Sequence, residues 1–112
     1  MANYQNITPV KLGQAAMTTG YTTLYTTPAN SRTYVKQFDI VNTSATPTTF
    51  YVHIAPTAST ESVSNAIFYN APIAGNTTVQ WTGVEIMNVD NAIRIKAGAA
   101  TCTISASGGE AV

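Results

Sequence analysis

Apolar and polar side chains alternate along four stretches of this chain, and no other feature constrains the fold as strongly. A period of two places successive side chains on opposite faces of an extended strand, whereas a helix needs a period of about 3.6. The stretches are rich in Thr, Val, Ile and Tyr and are bounded by Gly, Pro and Asn, which is typical of β-strands. Their apolar positions predict one core between two sheets, formed by Phe50, Val52, Ile54, Val79, Trp81, Ile93, Ile95, Cys102 and Ile104.

The alternate positions of the same strands are predicted to face solvent or another protein. Tyr51 and His53 lie opposite Phe50 and Val52 in the alternation, so they share one face. That face carries aromatic side chains without charged residues between them, a composition typical of the centre of an interface. Tyr51 and His53 are therefore the candidate interface residues for assembly with further copies of the chain.

Two further runs, YTTLYT and RTYVKQFDIVN, are predicted strands, and the opposite parities of Val35 and Phe38 indicate a bulge in the second. About eight short strands predict an all-β fold, an antiparallel β-sandwich with Greek-key or jelly-roll connections. We expect residues 21–108 to form this sandwich. Residues 1–20 are predicted to be an edge strand or an N-terminal arm that lies along a neighbouring subunit, and residues 109–112 a loose tail.

A local repeat relates residues 24–35, LYTTPANSRTYV, to residues 68–81, FYNAPIAGNTTVQW. Each copy has an apolar residue, Tyr, two residues, Pro and a polar turn that contains Asn, and then an alternating run. One interpretation is that Pro28 with Asn30, and Pro72 with Asn76, form equivalent corners between an aromatic strand and a returning strand. The other is that Pro and Asn are simply common in turns.

Charged residues are scarce, since they make up 9% of the 112 residues against about 25% in average proteins. Five basic and five acidic side chains cancel, and the basic ones are too scattered to bind phosphates, so nucleic acid is not an expected partner. Hydroxyl and amide groups cost less to bury than ions, which suits permanent contact with other proteins. No apolar run approaches the roughly 20 residues that span a bilayer, so no membrane association is expected. The first residues lack the pattern of a secretory signal, so synthesis in a cytoplasm is expected.

Residues for catalysis or metal binding are few. His53 is the single histidine and Cys102 the single cysteine, so neither an internal disulfide nor a zinc site within one chain can form. The acidic residues are widely spaced, and the sequence has no glycine-rich phosphate loop. We expect an outward-facing or interface histidine, a buried inert thiol, no cofactor, no metal and no enzymatic activity.

Four tyrosines leave one alternative open, because exposed aromatic rings on a sandwich can stack against sugars. The candidates are Tyr21, Tyr25, Tyr51 and Tyr69. Tyrosine in a strand more often packs half-buried with its hydroxyl at the rim, and we favour that interpretation.

Several segments together resemble small virion structural proteins and domains of tailed bacteriophages. The segments are LYTTPANSRTYVKQFDIVNTS, NAIFYNAPIAGNTTVQWTG and the runs AIRIKA and CTISASG, so the likeness covers about residues 20–108. Such proteins carry a Tyr-x-x-Pro-Ala-Asn-x-Arg corner, an Asn-Thr strand end, a second Pro corner and a Trp-Thr-Gly. The resemblance implies fold-forming and not catalytic roles for Pro28, Asn30, Arg32, Asn42, Pro72, Asn76, Trp81 and Gly83.

The resemblance implies a β-sandwich that belongs to a phage head or is appended to a tail or fibre. Together with the composition, it predicts a capsid decoration (cement) protein in the virion, made in the host bacterial cytoplasm, that binds the major capsid protein or other virion proteins. We expect a homo-oligomer, and a trimer only because decoration proteins often sit at threefold positions. The alternative is a receptor- or glycan-binding module of a phage tail or fibre.

Overall fold

Eight strands build the part of the chain that the computed structural model describes, residues 6–57 and 60–112. They are β1 (Ile7–Ala16), β2 (Thr22–Thr26), β3 (Arg32–Asn42), β4 (Thr48–Pro56), β5 (Ala66–Ile73), β6 (Thr77–Met87), β7 (Asn91–Ala97) and β8 (Cys102–Ala111). All strand pairs are antiparallel and form two four-stranded sheets, which confirms the predicted all-β sandwich. In the described residues, no helix is long and apolar enough to cross a membrane.

The strand order follows a simple pairing rule. Sheet A has the order β1-β8-β3-β6, and sheet B has the order β2-β7-β4-β5. The first strand pairs with the last, the second with the seventh, the third with the sixth and the fourth with the fifth. Pairing of β3 with β8 and of β4 with β7 then joins these pairs into sheets. The described strands therefore have the connectivity of one long hairpin rolled up on itself, and among them only β4 and β5 are consecutive strands of the same sheet.

The space between the sheets holds the apolar side chains that the alternation singled out. Phe50, Val52, Ile93, Ile95, Cys102 and Ile104 are buried, and Ile54, Val79 and Trp81 are partly buried and pack against the same core. Trp81 remains partly exposed because β6 is an edge strand of sheet A, with no neighbour on its outer side among the described strands. Its ring packs against Phe38, with 5.5 Å between the ring centroids.

Strands β1 and β8, at the two ends of the described residues, both belong to sheet A. Strand β1 pairs with β8 from Ile7 opposite Ala111 to Ala16 opposite Thr103, and Leu12 of β1 is buried, so residues 7–16 form an edge strand of this chain's own sheet. The predicted loose tail over residues 109–112 is wrong, because β8 continues to Ala111 between β1 and β3. The sandwich therefore extends beyond the predicted limits of 21–108. Backbone hydrogen bonds to β1 and β3 hold residues 109–111 in the sheet. Such bonds do not require alternating apolar and polar side chains, so the sequence gives no sign of them.

Strand β3 contains the predicted bulge. Its register with β6 and with β8 shifts between Val35 and Gln37, which confirms the interpretation of the opposite parities. Gly108 of β8 lies beside the bulge. A Cβ atom at this position would come within 1.9 Å of the carbonyl oxygen of Tyr34, so the close approach of the two strands requires glycine.

The two copies of the sequence repeat occupy equivalent places. Each begins in a strand of sheet B, β2 or β5, and ends in a strand of sheet A, β3 or β6. Asn30 and Asn76 turn the chain before the second strand with φ angles of 58° and 55°, a left-handed conformation that asparagine tolerates. Pro28 lies in the first connection and Arg32 begins β3. The prediction of a corner at Pro72 is wrong, because this residue lies within β5 opposite Thr49; proline is tolerated there since β5 is an edge strand.

Candidate functional site

The densest group of chemically distinctive side chains lies on the outer face of sheet B. Tyr51 and His53 project from β4, and Tyr21, Tyr69 and Lys96 surround them. The rings meet edge to face, with centroid distances of 5.2 Å from Tyr21 to His53 and 5.3 Å from Tyr51 to Tyr69. Such contacts stabilise aromatic pairs beyond the area that they bury. We call these five residues the tyrosine cluster.

His53 is the innermost residue of the cluster and is fully buried. The amide of Asn65 is oriented by two other bonds, since its Nδ2 donates to the Thr60 carbonyl and its Oδ1 accepts from the Ser62 N–H. The Oδ1 that faces the imidazole is therefore an acceptor, so Nδ1 of His53 carries the hydrogen and donates to it over 2.7 Å. The hydroxyl of Tyr21 donates to Nε2 over 2.9 Å. Both imidazole nitrogens are thus engaged within the chain.

The prediction of an outward-facing or interface His53 is wrong. Its side chain has no exposed surface, because Tyr21 and the segment that carries Asn65 fold back over the outer face of sheet B. Period two placed His53 on the correct face of β4 but gave no sign that loops of the same chain cover that face. Tyr51, the other candidate interface residue, is half-buried at the surface.

Lys96 covers ring faces that a sugar would otherwise reach. Its ammonium lies 5.1 Å from the ring centroid of Tyr21 and 4.8 Å from that of Tyr51, in cation–π geometry. The hydroxyl of Tyr51 donates to Oδ1 of Asn70 over 3.1 Å. Tyr69, with 55% of its surface exposed, is left as the most accessible ring of the cluster.

An ion pair also attaches the segment that covers His53, residues 60–65, to sheet B. Nε of Arg94 donates to the Glu61 carboxylate over 2.5 Å, and Arg94 also bonds the hydroxyl of Thr23. The hydrogen bond from Arg94 holds the pKa of Glu61 below its ordinary value. Burial, together with the nearby Glu61 carboxylate, raises the pKa of Tyr21. A cleft of about 210 Å³, lined largely by hydroxyl groups and this pair, lies beside the segment.

The fourth tyrosine candidate lies elsewhere. The hydroxyl of Tyr25 donates to the Glu110 carboxylate and accepts from the hydroxyl of Thr33. Burial and the bond to Glu110 raise the pKa of Tyr25 to about 12. The structure therefore brings together Tyr21, Tyr51 and Tyr69, and separates Tyr25 from them.

A second surface, on the outer face of sheet A, was not predicted from the sequence. Pro9, Gly109, Tyr34 and Ile86 lie side by side across the four strands, since each is the register partner of the next. Ile7, Val84 and Ile86 are exposed by 61%, 54% and 53%. The two glycines of β8 leave a groove of about 490 Å³, lined by Ile7, Pro9, Tyr34, Lys36, Val84, Gly108 and Gly109. We call it the sheet A groove.

The sequence held only weak signals of this groove. The predicted limit between sandwich and loose tail falls between Gly108 and Gly109, and Val84 and Ile86 lie just after the regular alternation of β6. The residues that line the groove lie on all four strands of sheet A and are far apart in the sequence, so they are brought together only by the pairing of β1, β8, β3 and β6. Among the described residues that line the groove, Lys36 is the one that carries a charge.

Groups for covalent or metal chemistry are not assembled in the described residues. No three His, Cys, Asp or Glu side chains there lie close enough to hold a metal ion. Cys102 is buried, and burial raises the pKa of its thiol. The remaining distinctive surfaces are the tyrosine cluster and the sheet A groove. Comparisons of the chain with protein-family models, with curated proteins and with solved structures gave no match.

Proposed function

We propose that this chain is a virion structural protein of a tailed bacteriophage that decorates the capsid by binding the major capsid protein. The observation that carries the proposal is the sheet A groove, with its exposed Ile7 and Val84, and with the exposed Ile86 beside the lining residue Tyr34. Large apolar side chains that cluster on the surface of a soluble domain mark sites of protein contact. A largely apolar groove costs little to desolvate, which suits a permanent protein partner.

The strand order supports the same function. Pairing of first with last strand, second with seventh and so on is the connectivity of a jelly roll made from two Greek keys, and we propose that classification for this sandwich. Jelly rolls occur in viral capsid proteins, and also in lectins and cupins. The resemblance to phage virion proteins and the scarcity of charged residues favour the first of these classes.

In this proposal the groove contacts the capsid shell and the protein is made in the host cytoplasm. An apolar segment of the major capsid protein occupies the groove, with its walls formed by β1 and β6. The chain acts as a homo-oligomer on the shell, without nucleic acid, cofactor or catalysis. The tyrosine cluster stabilises the opposite face of the sandwich, because the Tyr21 hydroxyl bonds His53 and the Lys96 ammonium lies over the rings of Tyr21 and Tyr51.

Binding to capsids that lack this protein tests the proposal. Ile7→Lys places a charge in the groove, and we expect binding to fall by about tenfold or more because an unpaired charge would be buried. Val63→Lys is the matched control, since Val63 is an exposed apolar residue, by 70%, on the segment that covers sheet B. Cosedimentation of each variant with capsids measures the effect. Equal binding of both variants, or no binding of the unaltered chain, contradicts the proposal.

A second candidate is glycan binding, which the exposed ring of Tyr69 beside Tyr51 and Lys96 favours. A pyranose would stack on Tyr69 and take hydrogen bonds from Lys96 and from the amide of Asn70, which also bonds Tyr51. Glucose, galactose and N-acetylglucosamine at millimolar concentration are suitable probes in NMR titrations. Shifts confined to this cluster and lost in Tyr69→Ala would support the glycan function, whereas unchanged spectra would contradict it.

A further inference from the structure

The four edge strands of the sandwich differ in how they prevent pairing with another chain. β1 carries Pro9 and Lys11 and shifts register next to them. β5 contains Pro72 and the left-handed Asn70, and β2 is only five residues long with a shift of its own. Prolines, lysines, bulges and short length are the usual means of blocking strand addition at an edge. β6 (Thr77–Met87) has neither proline nor lysine.

Strand β6 offers a regular, uncharged edge over Thr77–Thr82. The pairing of these residues with β3 is continuous. The bulge of β6, in which Gly83 and Val84 face the single residue Lys36 of β3, follows Thr82. Among the described residues, no backbone hydrogen bond outside the sheet ladder involves residues 78–82. Val79 and Trp81 remain partly exposed at this edge although they pack against the core. A further strand would cover both.

The residue pattern of this edge identifies a second copy of the chain as the strand that fits. Read outward from Gln80, the sequence is the same in character in both directions: an apolar residue, Val79 or Trp81, and then a threonine, Thr78 or Thr82. In an antiparallel pair about a twofold axis, a residue before the axis lies opposite the residue of the second copy that follows the axis at the same distance, and both side chains point to the same face. A pattern that is symmetric about one residue is therefore complementary to itself.

We propose that two copies of this chain associate through β6, antiparallel and with the twofold axis at Gln80, so that the two A sheets become continuous. Val79 then lies opposite Trp81 of the second copy, and Thr78 opposite Thr82. These are an aromatic–β-branched pair and a Thr–Thr pair, which stabilise cross-strand contacts. No charged side chain lies within residues 77–84, so no like charges oppose each other. The contact is closed, because the same edge is used by both copies.

This contact is separate from the sheet A groove. The groove lies at the end of the sheet where Ile7 and Ile86 sit and meets β6 at Val84, within the bulge. The pairing segment, residues 77–82, lies on the other side of the bulge. The inference does not rest on the proposed function, since it concerns only residues 77–82. A twofold contact differs from the threefold state that the resemblance alone implied.

Position 80 provides the sharpest test, because the axis places Gln80 opposite its own counterpart. The exposed side chain of Gln80 can be replaced without entering the core. In Gln80→Lys and in Gln80→Glu, two like charges face each other, and each variant should raise the dimer Kd by about tenfold or more. A mixture of the two variants should restore association. Thr26→Lys, at an exposed position on the edge strand β2, is the matched control and should leave association unchanged.

Sedimentation velocity over micromolar concentrations gives the mass of each species. The unaltered chain should have twice the mass of the 11.8 kDa chain. A monomer, a trimer, dimers that persist in both charged variants, or a mixture that stays monomeric overturns the proposal. Amide hydrogen exchange on the unaltered chain is a second test that needs no substitution. The amides of residues 77–82 that point away from β3 should exchange more slowly at protein concentrations above the dimer Kd than below it. Equal exchange rates overturn the proposal.

Discussion

Asn42→Ala is expected to be among the most destabilising single substitutions outside the apolar core. Asn42 is fully buried at the end of β3. Its Nδ2 donates to the carbonyl oxygens of Thr46, over 2.9 Å, and Ala74, over 3.4 Å. Its Oδ1 accepts from the Ser44 N–H over 3.1 Å and from the Thr101 hydroxyl over 3.0 Å. One side chain therefore joins the β3–β4, β5–β6 and β7–β8 connections.

The magnitude follows from the number and quality of these bonds. Three are at ordinary hydrogen-bond distances, and each contributes about 0.5–1.5 kcal/mol net, while the 3.4 Å bond contributes little. Truncation also leaves buried partners without a bond. We therefore expect Asn42→Ala to lower the free energy of unfolding by about 3–4 kcal/mol, a large part of the 5–15 kcal/mol typical of whole domains. Asn42→Asp should cost at least as much, because a carboxylate oxygen would face the Thr46 carbonyl.

Urea denaturation followed by the fluorescence of Trp81 measures the effect at a fixed protein concentration. Asn88→Ala is the matched control, since Asn88 is exposed in the β6–β7 connection, and it should change the free energy by less than about 0.5 kcal/mol. A loss of less than about 1 kcal/mol in Asn42→Ala would refute the assignment of Asn42 as the common anchor of the three connections.

Three more predictions concern strand packing, pH and thiol chemistry. Gly108→Ala should lower the free energy of unfolding by about 2–3 kcal/mol, because the added Cβ would meet the Tyr34 carbonyl oxygen at 1.9 Å. Gly20→Ala, with open space around it, is the control and should leave the melting temperature nearly unchanged. The hydroxyl of Tyr25 has its ordinary pKa of 10.0 in the unfolded chain and a pKa of about 12 in the folded chain. Stability should therefore fall as the pH rises from 10.0 to about 12, and denaturation of Tyr25→Phe should show a smaller fall over the same pH range. The buried Cys102 should react with thiol reagents only as fast as the chain unfolds, and rapid labelling of native protein would contradict its burial.

Local patterns in the sequence were sufficient for the fold class and for part of the core, although they did not single out buried residues such as Met17, Ile40 and Met87. Period two identified which side chains of β4, β7 and β8 turn inward, since that periodicity follows from strand geometry whatever the partner strand is. The parity change between Val35 and Phe38 located the bulge of β3, because an extra residue inverts the faces locally. The asparagines of the repeat marked the turns, because few other residues tolerate a positive φ.

What the sequence left undetermined was set by contacts between distant segments. Residues 109–111 form a strand only because β1 and β3 supply hydrogen-bond partners on both sides. His53 is buried only because Tyr21 and Asn65 meet over it, from segments 32 and 12 residues away. The sheet A groove and the unprotected edge of β6 exist only once the strand order is fixed. Alternation in a sequence predicts which face of a strand turns inward, but it does not predict which strand pairs with it or which loop covers its other face. Strand pairing uses backbone hydrogen bonds, and these are the same for every residue type except proline.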